Sequence, residues 1–377
     1  MSFERVSELP DGPLPGPKAA RLLVASPWGL GEAVLVRLLL QELSARFPAL
    51  KIGVLVGRGP SSEVMSLGGC LQIHRYHSRE VGGKLWGSLR TIYALRRMGY
   101  DTALDCEGRL VATAAFLRAA AIPVRIGFVR PTASLRGLFL THTVEFAACH
   151  SYWHSLVALA RHIDPGFPTV APSLSLSPDA TVKSRVHQWL QEQEATAPTR
   201  RLALHVGSGD HANFKRWPIA RFIELAERIR TRAPNLLVIL TGTPAERRLI
   251  KEFAGSFRGR CTDATVLGSV QATALLLEKC DLLVSNDTGV MHLGAALGTP
   301  TVGLFGATDP AHWAPVGIRA TQVYPTRVNC SPCLDSYYRG VNPLECRNPE
   351  YQRCMLDIQP AHVIEAAKRV VTDDWLG

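Results

Sequence analysis

Residues 285–315 read SNDTGVMHLGAALGTPTVGLFGATDPAHWAP, and this stretch decides the fold. It follows a mostly apolar run, Cys280–Val284, short enough for a buried strand. Asn286, Asp287, Thr288 and Gly289 then make a polar turn at the carboxyl end of that strand. Val290, Leu293, Ala296 and Leu297 have helical spacing, and Gly298-Thr299-Pro300 stops the helix. Thr301–Phe305 is a second strand and Gly306–Pro310 a loop. The unit is strand, turn, helix, turn, strand, with its polar residues in the turns. In an open parallel sheet, ligands bind beyond the carboxyl ends of strands, at helix N-termini. Thr288 and Gly289 would bring backbone N–H groups, a hydroxyl and the positive end of a helix dipole to one point, which suits a phosphate. Gly289 would also let a ligand approach the backbone closely.

The same alternation extends outward in both directions. Arg21–Ala25, Lys51–Val56, Leu71–Tyr76, Tyr100–Asp105 and Val124–Phe128 read as strands. Helical patterns over 32–47, 81–98 and 109–121 separate them, with a short helix within 58–67. Leu138–Val144 looks extended and Ser151–His162 helical. Pro165–Pro178 is proline-rich with little periodicity, the best place for a linker. A second series follows, with strands at 201–206, 236–241, 264–267 and 282–285 and helices at 181–193, 218–233, 246–257 and 271–279. Strands alternating with helices at this spacing predict parallel, doubly wound sheets. The expected division is a loose tail 1–18, a domain 19–175, a domain 176–359 with a cysteine-bearing excursion 327–356, and a last helical segment 360–377.

At 377 residues the chain has room for two domains, and its 46% apolar and 20% charged residues describe an ordinary globular protein. The net charge of +10 favours an anionic partner: a phosphorylated glycolipid, an anionic membrane surface or nucleic acid. No run of 18 apolar residues predicts a membrane span. Acidic residues precede the first apolar run, and nine cysteines are an odd number; both fit a reducing cytoplasm.

Three further turns carry chemistry. Gly31-Glu32 lies between the first strand and its helix, where Glu32 could act as a general base or simply favour a helix N-terminus. Asp105-Cys106-Glu107-Gly108 ends another strand, so Asp105 or Glu107 is a second candidate base. The run from His205 to Pro218, HVGSGDHANFKRWP, joins a strand to a helix through a loop whose N–H groups could nest an anion. Ser208 belongs to that nest, and Lys215 adds a point charge that would stabilise a departing diphosphate. Glu246, just beyond a strand, could accept from ribose hydroxyls or serve as a first-turn acid. Cys330, Cys333, Cys346 and Cys354 are spaced C-x2-C-x12-C-x7-C on the loop excursion, which Arg339, Arg347 and Arg353 make basic. The four could form a tetrahedral Zn or Fe site or remain reduced thiols under a loop. His150 and His154 stand four apart near a helix start without an obvious third ligand.

With these residues in view, the chain resembles glycosyltransferase family 9, the ADP-heptose:lipopolysaccharide heptosyltransferases. The resemblance rests on Asp287-Thr288-Gly289, His292, Ala295-Ala296-Leu297, Pro300, Leu304-Phe305-Gly306, Thr308, Pro310 and Pro315. It also rests on His205, Gly207, Lys215, Arg216, Trp217 and Pro218, although Val206 replaces the usual proline. It covers about residues 20–372 and is looser in the first half.

The resemblance implies the GT-B fold, two Rossmann-like domains facing a cleft, with the last helix packing back on the first domain. It implies an inverting, metal-independent transfer of heptose from ADP-heptose to an inner-core or related glycan. Glu32 would stand where the family usually has the aspartate base, and Glu107 where a glutamine is common. Lys215, Ser208, Glu246, Asp287, Thr288, Gly289 and His292 would bind the donor. Arg125 matches a family strand and Trp217 reads as core. Some members carry a comparable cysteine-bearing insertion, including an iron-binding one in a branch that modifies proteins. The expected partners are thus ADP-heptose and an anionic glycolipid, with peripheral contact at the inner membrane. Nucleic acid would leave the Asp287 motif unexplained. A non-catalytic nucleotide- or glycan-binding protein and a protein O-heptosyltransferase remain the alternatives.

Overall fold

The computed structural model describes residues 21–26, 29–57, 59–69, 71–75, 84–130, 135–146, 151–193, 200–209, 212–325, 328–334, 343, 345–372 and 375, with side chains of 84–87 left aside. The tail 1–18, Cys70, Cys149, His150, Asp210, His211, Arg339 and part of the cysteine excursion lie outside the described residues.

The first half runs β1 (Arg21–Ala25), α1 (Leu30–Arg46), β2 (Lys51–Val56), α2 (Pro60–Met65), β3 (Gln72–Arg75), α3 (Lys84–Met98), β4 (Thr102–Asp105), α4 (Val111–Ala119), β5 (Val124–Val129), β6 (His142–Glu145) and α5 (Tyr152–Ala160). The second runs α6 (Ala180–Gln193), β7 (Arg200–His205), α7 (Ile219–Arg230), β8 (Leu236–Thr241), α8 (Arg247–Ser256), β9 (Arg260–Asp263), α9 (Val270–Leu277), β10 (Leu282–Asn286), α10 (Gly289–Ala296), β11 (Thr301–Leu304), α11 (Pro310–Trp313), β12 (Ala320–Val323), α12 (Arg353–Asp357) and α13 (Pro360–Lys368). Each half holds a six-stranded, all-parallel sheet, ordered β3-β2-β1-β4-β5-β6 and β12-β11-β10-β7-β8-β9. Strand order therefore reverses beside β1 in one sheet and beside β7 in the other. Those switch points open crevices at the carboxyl strand ends, and the turns carrying Glu32, Lys215 and Asp287 all lie at that end.

The strands are apolar on both faces because helices cover both. In the first sheet Leu22, Val24 and Val54 face α1 and α5, while Leu23, Ala25 and Ala103 face α3 and α4 through Leu95, Leu117 and Ala120. The apolar cluster under α1 does not stop at the domain edge. It continues into Leu283, Leu293 and Ala296 of the second half. The close approach has a steric cause. A Cβ on Gly289 would lie 2.4 Å from Leu30 Cγ, and one on Gly31 would lie 2.7 Å from His292 Cδ2. Only glycines let α1 and α10 meet N-terminus to N-terminus.

Several expectations are corrected. Residues 264–267 are a 3-10 turn, because the Asp263 carboxylate accepts from Thr265 N at 2.8 Å and ends the strand. The extended reading at Leu138 gives way to a 3-10 turn, Leu135–Leu138, with β6 starting only at His142. The short edge strand β12 lies in a stretch to which the sequence assigned no element. The last helix does not return to the first domain: α13 packs on α7, β11 and β12, with Val363, Ile364 and Ala367 in the core of the second sheet.

Candidate active site

Two cavities, each of about 220 Å³, lie where the halves meet and share Leu30 as a wall. The first is lined by Glu32 and Gly31 from α1, by Asp287, Thr288, Gly289 and His292 from the β10–α10 turn, and by Lys215. Thr308, Trp313 and Leu334 complete it. Six residues expected at the site thus gather from three distant turns.

The polar centre is Asp287. Lys215 Nζ lies 2.6 Å from its Oδ2, and Thr308 Oγ1 donates to the same oxygen at 2.6 Å. Burial pushes this carboxyl up, but Lys215 first, then Thr308 and His292, hold it below the usual carboxylate range. Asn286 ties the two turns together: Nδ2 donates to Val206 O and Gly207 O, while Oδ1 accepts from Trp217 N at 2.9 Å. The lysine-bearing loop is thereby fixed to the aspartate-bearing turn. Burial lowers the His292 pKa to about 4, against the pull of Asp287 and with the push of Lys215. The imidazole is therefore neutral at pH 7, with Nδ1 buried and without a hydrogen-bond partner among the described residues. Glu32 is half-buried in the first turn of α1, its carboxylate lying over Gly29.

The arrangement suits displacement of an anionic leaving group. A cation and the N-terminal N–H groups of α10 face one side of the cavity. The Glu32 carboxylate on α1 lines the same cavity. Gly289, expected to admit a ligand, instead admits Leu30 of the other half.

The second cavity opens beyond β7, β8 and β9. Its walls include His205, Thr243, Thr265 and Ser269, with Pro60 and Glu63 supplied by the first half. Glu63 Oε2 accepts from Val270 N at 2.9 Å, which closes the rim. Glu246 sits behind this wall, 2% exposed. It accepts from Gly209 N at 3.1 Å and from Thr243 N and Oγ1 at 2.8 and 3.0 Å. Burial raises its pKa, but His205 and these donors hold it below the ordinary glutamate value. Gly207 is needed there, since a Cβ would lie 1.8 Å from Glu246 Oε1. Glu246 therefore shapes the loop. Ser208 does likewise, donating to Ala212 O at 2.8 Å and accepting from Arg216 Nε at 3.1 Å.

Glu107 and Asp105 are not brought to the cavity. Glu107 is 1% exposed and accepts from Arg109 N and Nε through Oε1. Asp105 is fully buried, paired with Arg136 at 2.8 Å, and burial pushes its carboxyl up to about 7. The expectation of a second carboxylate in the cleft fails because both acids are spent on neighbouring arginines. Ser151 caps α5 by accepting from His154 N, and its hydroxyl also meets His154 Nδ1 at 2.8 Å. Arg125 donates to Phe139 O and Pro123 O, and Trp217 Nε1 to Ile358 O, as structural residues do.

The four cysteines are free thiols; burial first, then the neighbouring cysteines, raises the Cys333 thiol and takes Cys354 to about 11. Among the described residues no three His, Cys, Asp or Glu side chains converge as a metal site. The segment does reach the cavity: Cys333 N and Leu334 N both donate to Ala307 O, which sets Leu334 in its wall. Sequence reading also missed Trp313, which stacks on Tyr152 of the first half at 5.5 Å, with Tyr152 Oη donating to Cys106 O. No sequence pattern pairs those two rings.

The model of the family described as "Glycosyltransferase family 9 (heptosyltransferase)" matches residues 88–339, about two thirds of the chain. The chain belongs to glycosyltransferase family 9. Among curated family members, it is 26% identical over 168 residues to lipooligosaccharide heptosyltransferase 2 of Campylobacter jejuni, 43% of this chain and 48% of that protein. The chain thus spans about half the length of such curated relatives. Two solved structures share its fold. One is the Escherichia coli ADP-heptose lps heptosyltransferase II, with TM-score 0.71 and 20% identity over 93% of this chain and 98% of that one. The other is E. coli heptosyltransferase WaaC with ADP, with TM-score 0.60 and 21% identity over 80% and 92%. The family's fold here is GT-B: two α/β domains, one parallel sheet each. No helix among the described residues is long and apolar enough to cross a membrane.

Proposed function

We propose that this chain is an inverting transferase that moves heptose from ADP-heptose to an inner-core or related glycan of lipopolysaccharide. The observation that carries the reading is the first cavity, whose lining brings Glu32 together with Lys215, Asp287 and the N-terminus of α10. Glu32 takes the proton of an acceptor hydroxyl as its oxygen attacks the anomeric carbon. The bond from that carbon to the diphosphate breaks on the opposite face, which inverts the centre. The leaving ADP gathers negative charge against Lys215 and the α10 N–H groups. Asp287 holds Lys215 in place and supplies an acceptor for donor-sugar hydroxyls. Adenosine fits the second cavity, whose hydroxyl and imidazole groups offer hydrogen bonds. The co-complex of the related WaaC with ADP supports this choice of nucleotide.

The chemistry needs no metal at the reacting atoms, since fixed protein charges face the diphosphate. The four cysteines do not fit a metal centre as they stand, and no step passes through one. Metal analysis of protein purified without added metal checks this; stoichiometric zinc or iron would show that the thiols close around an ion.

Glu32→Gln is the deciding variant. Removing a general base lowers kcat by about 10²–10⁴-fold, while ADP affinity measured by calorimetry stays within about twofold. Unchanged turnover would remove Glu32 from the mechanism. Absence of ADP-heptose turnover in the parent protein, with ADP still bound, would favour the non-catalytic binding reading. Transfer to protein serines in place of glycan would favour the protein-modifying one.

A further inference from the structure

The charge of this protein is unevenly placed. Residues 19–175 hold 17 Lys and Arg against nine Asp and Glu, which is +8 of the total +10. The excess concentrates on one layer, the α3 and α4 side of the first sheet. Helix α3 contains no acidic residue, and none occurs from Gly108 to Val144, a stretch with five arginines. The acids beside this layer, Asp105 and Glu107, are buried against Arg136 and Arg109.

The same layer carries the exposed apolar surface. Among the described residues eleven large apolar side chains are exposed, and six belong here: Leu89, Tyr93, Leu110, Val111, Leu135 and Leu138. Leu135 and Leu138 are 66% and 76% exposed. These residues form one surface because hydrogen bonds tie its parts. Arg96 Nε donates to Ala119 O at 3.0 Å, joining α3 to α4. Arg136 donates to Leu110 O and Phe128 O and pairs with Asp105, joining the turn Leu135–Leu138 to the start of α4. Arg97 lies 5.8 Å from the Tyr93 ring, an apolar body with a cation at its edge.

Apolar side chains interleaved with arginines, without acids, match an anionic bilayer surface. The apolar groups enter the acyl boundary and the cations meet the headgroups. A protein partner of ordinary composition would bring bases of its own against this face. We propose that the α3–α4 layer and the Leu135–Leu138 turn form the surface by which this protein docks on anionic phospholipid membrane. Leu110 and Val111 follow the carboxyl end of β4, the end of the sheet that also carries Glu32, and Arg136 ties the start of the Leu135–Leu138 turn to it. Docking there holds the glycan of a membrane-anchored acceptor level with the cavity. The choice of a bilayer rests on the glycolipid acceptor proposed above, whereas the surface is testable without any transfer.

The test is co-sedimentation of the full chain with vesicles of equimolar phosphatidylglycerol and phosphatidylcholine, against phosphatidylcholine alone. Binding to the anionic vesicles, weakened by salt, is expected. The double variant Leu135→Glu, Leu138→Glu loses about tenfold or more in partitioning, and Arg118→Glu loses less. Both keep wild-type ADP affinity, which shows that they fold. Failure of the parent protein to sediment with anionic vesicles overturns the proposal, as does undiminished binding by the double variant. Self-association or oligonucleotide binding abolished by the same double variant, with no vesicle binding, would assign the face elsewhere. Absence of vesicle binding by the parent protein, with normal turnover on detergent-dispersed acceptor, would sink the docking surface alone. Normal vesicle binding without nucleotide binding would sink the transferase reading alone.

Discussion

Lys215→Ala separates two roles that one side chain can play. Its Nζ lies 2.6 Å from Asp287 Oδ2, and the two side chains are 15% and 9% exposed. Removing the lysine leaves a nearly buried carboxylate with the Thr308 hydroxyl as its remaining described side-chain donor. Breaking a fully buried pair costs about 3–5 kcal/mol; the residual exposure of Lys215 brings the expected loss of stability to about 2–3 kcal/mol. The ligand effect is separate. A charge-assisted hydrogen bond to a phosphate contributes about 1.5–3 kcal/mol, so ADP affinity should fall between roughly tenfold and 150-fold. Calorimetric titration of ADP reads this directly. The decisive comparison is the double variant Lys215→Ala, Asp287→Asn. If Lys215 touches the diphosphate, the double variant binds ADP no better than Lys215→Ala alone. If Lys215 only neutralises Asp287, removing both charges restores wild-type affinity, and the assignment of the cation to the leaving group is refuted.

Other outcomes follow from the same geometry. His292 has its pKa lowered by burial to about 4, against 6.5 in an unfolded chain. The unfolded state therefore takes up a proton the native state refuses, and stability falls as pH drops from about 6.5 to 4, by roughly 3 kcal/mol. Asp105, raised by burial to about 7, acts in the opposite sense over much of that window. The effect is accordingly read as the difference between wild type and His292→Gln in urea titrations at each pH; a constant difference would contradict it. Gly289→Ala places a methyl 2.4 Å from Leu30, which demands about 1 Å of separation between α1 and α10. It should cost about 1–3 kcal/mol and weaken ADP binding. Gly255→Ala, in α8 with nothing within 4 Å of the new methyl, should be neutral or stabilise by up to about 1 kcal/mol. Equal effects of the two on urea midpoints would show that the helix contact is unimportant.

What could be read in the sequence was local. Asp287, Thr288, Gly289 and Lys215 stand next to strand ends that apolar runs announce, so their place at a crevice followed from order along the chain. Glu107 also stands at a strand end, but its fate depends on Arg109, and that of Asp105 on Arg136, which arrives from 31 residues away. Nothing in spacing predicts such a pairing. The cavity walls supplied across the two halves were equally hidden: Leu30 against Gly289, Tyr152 against Trp313, Glu63 against Val270. Gly289 was read as room for a ligand because glycine marks any close approach, and the sequence does not name the approaching group. The fate of α13 was read from resemblance and corrected by packing, since Val363, Ile364 and Ala367 find apolar neighbours on the nearer sheet.

The apolar cluster that runs from α1 into α10 has a consequence for how this protein can be taken apart. A cut in the proline-rich connection near residue 176 would not yield two independent modules. Each piece would present the raw side of that shared cluster to water, Val34 and Leu38 on one and Leu293 and Ala296 on the other. Chimeras that exchange acceptor halves between related chains must therefore carry a matched α1 and α10 together, or they will inherit a seam that does not close.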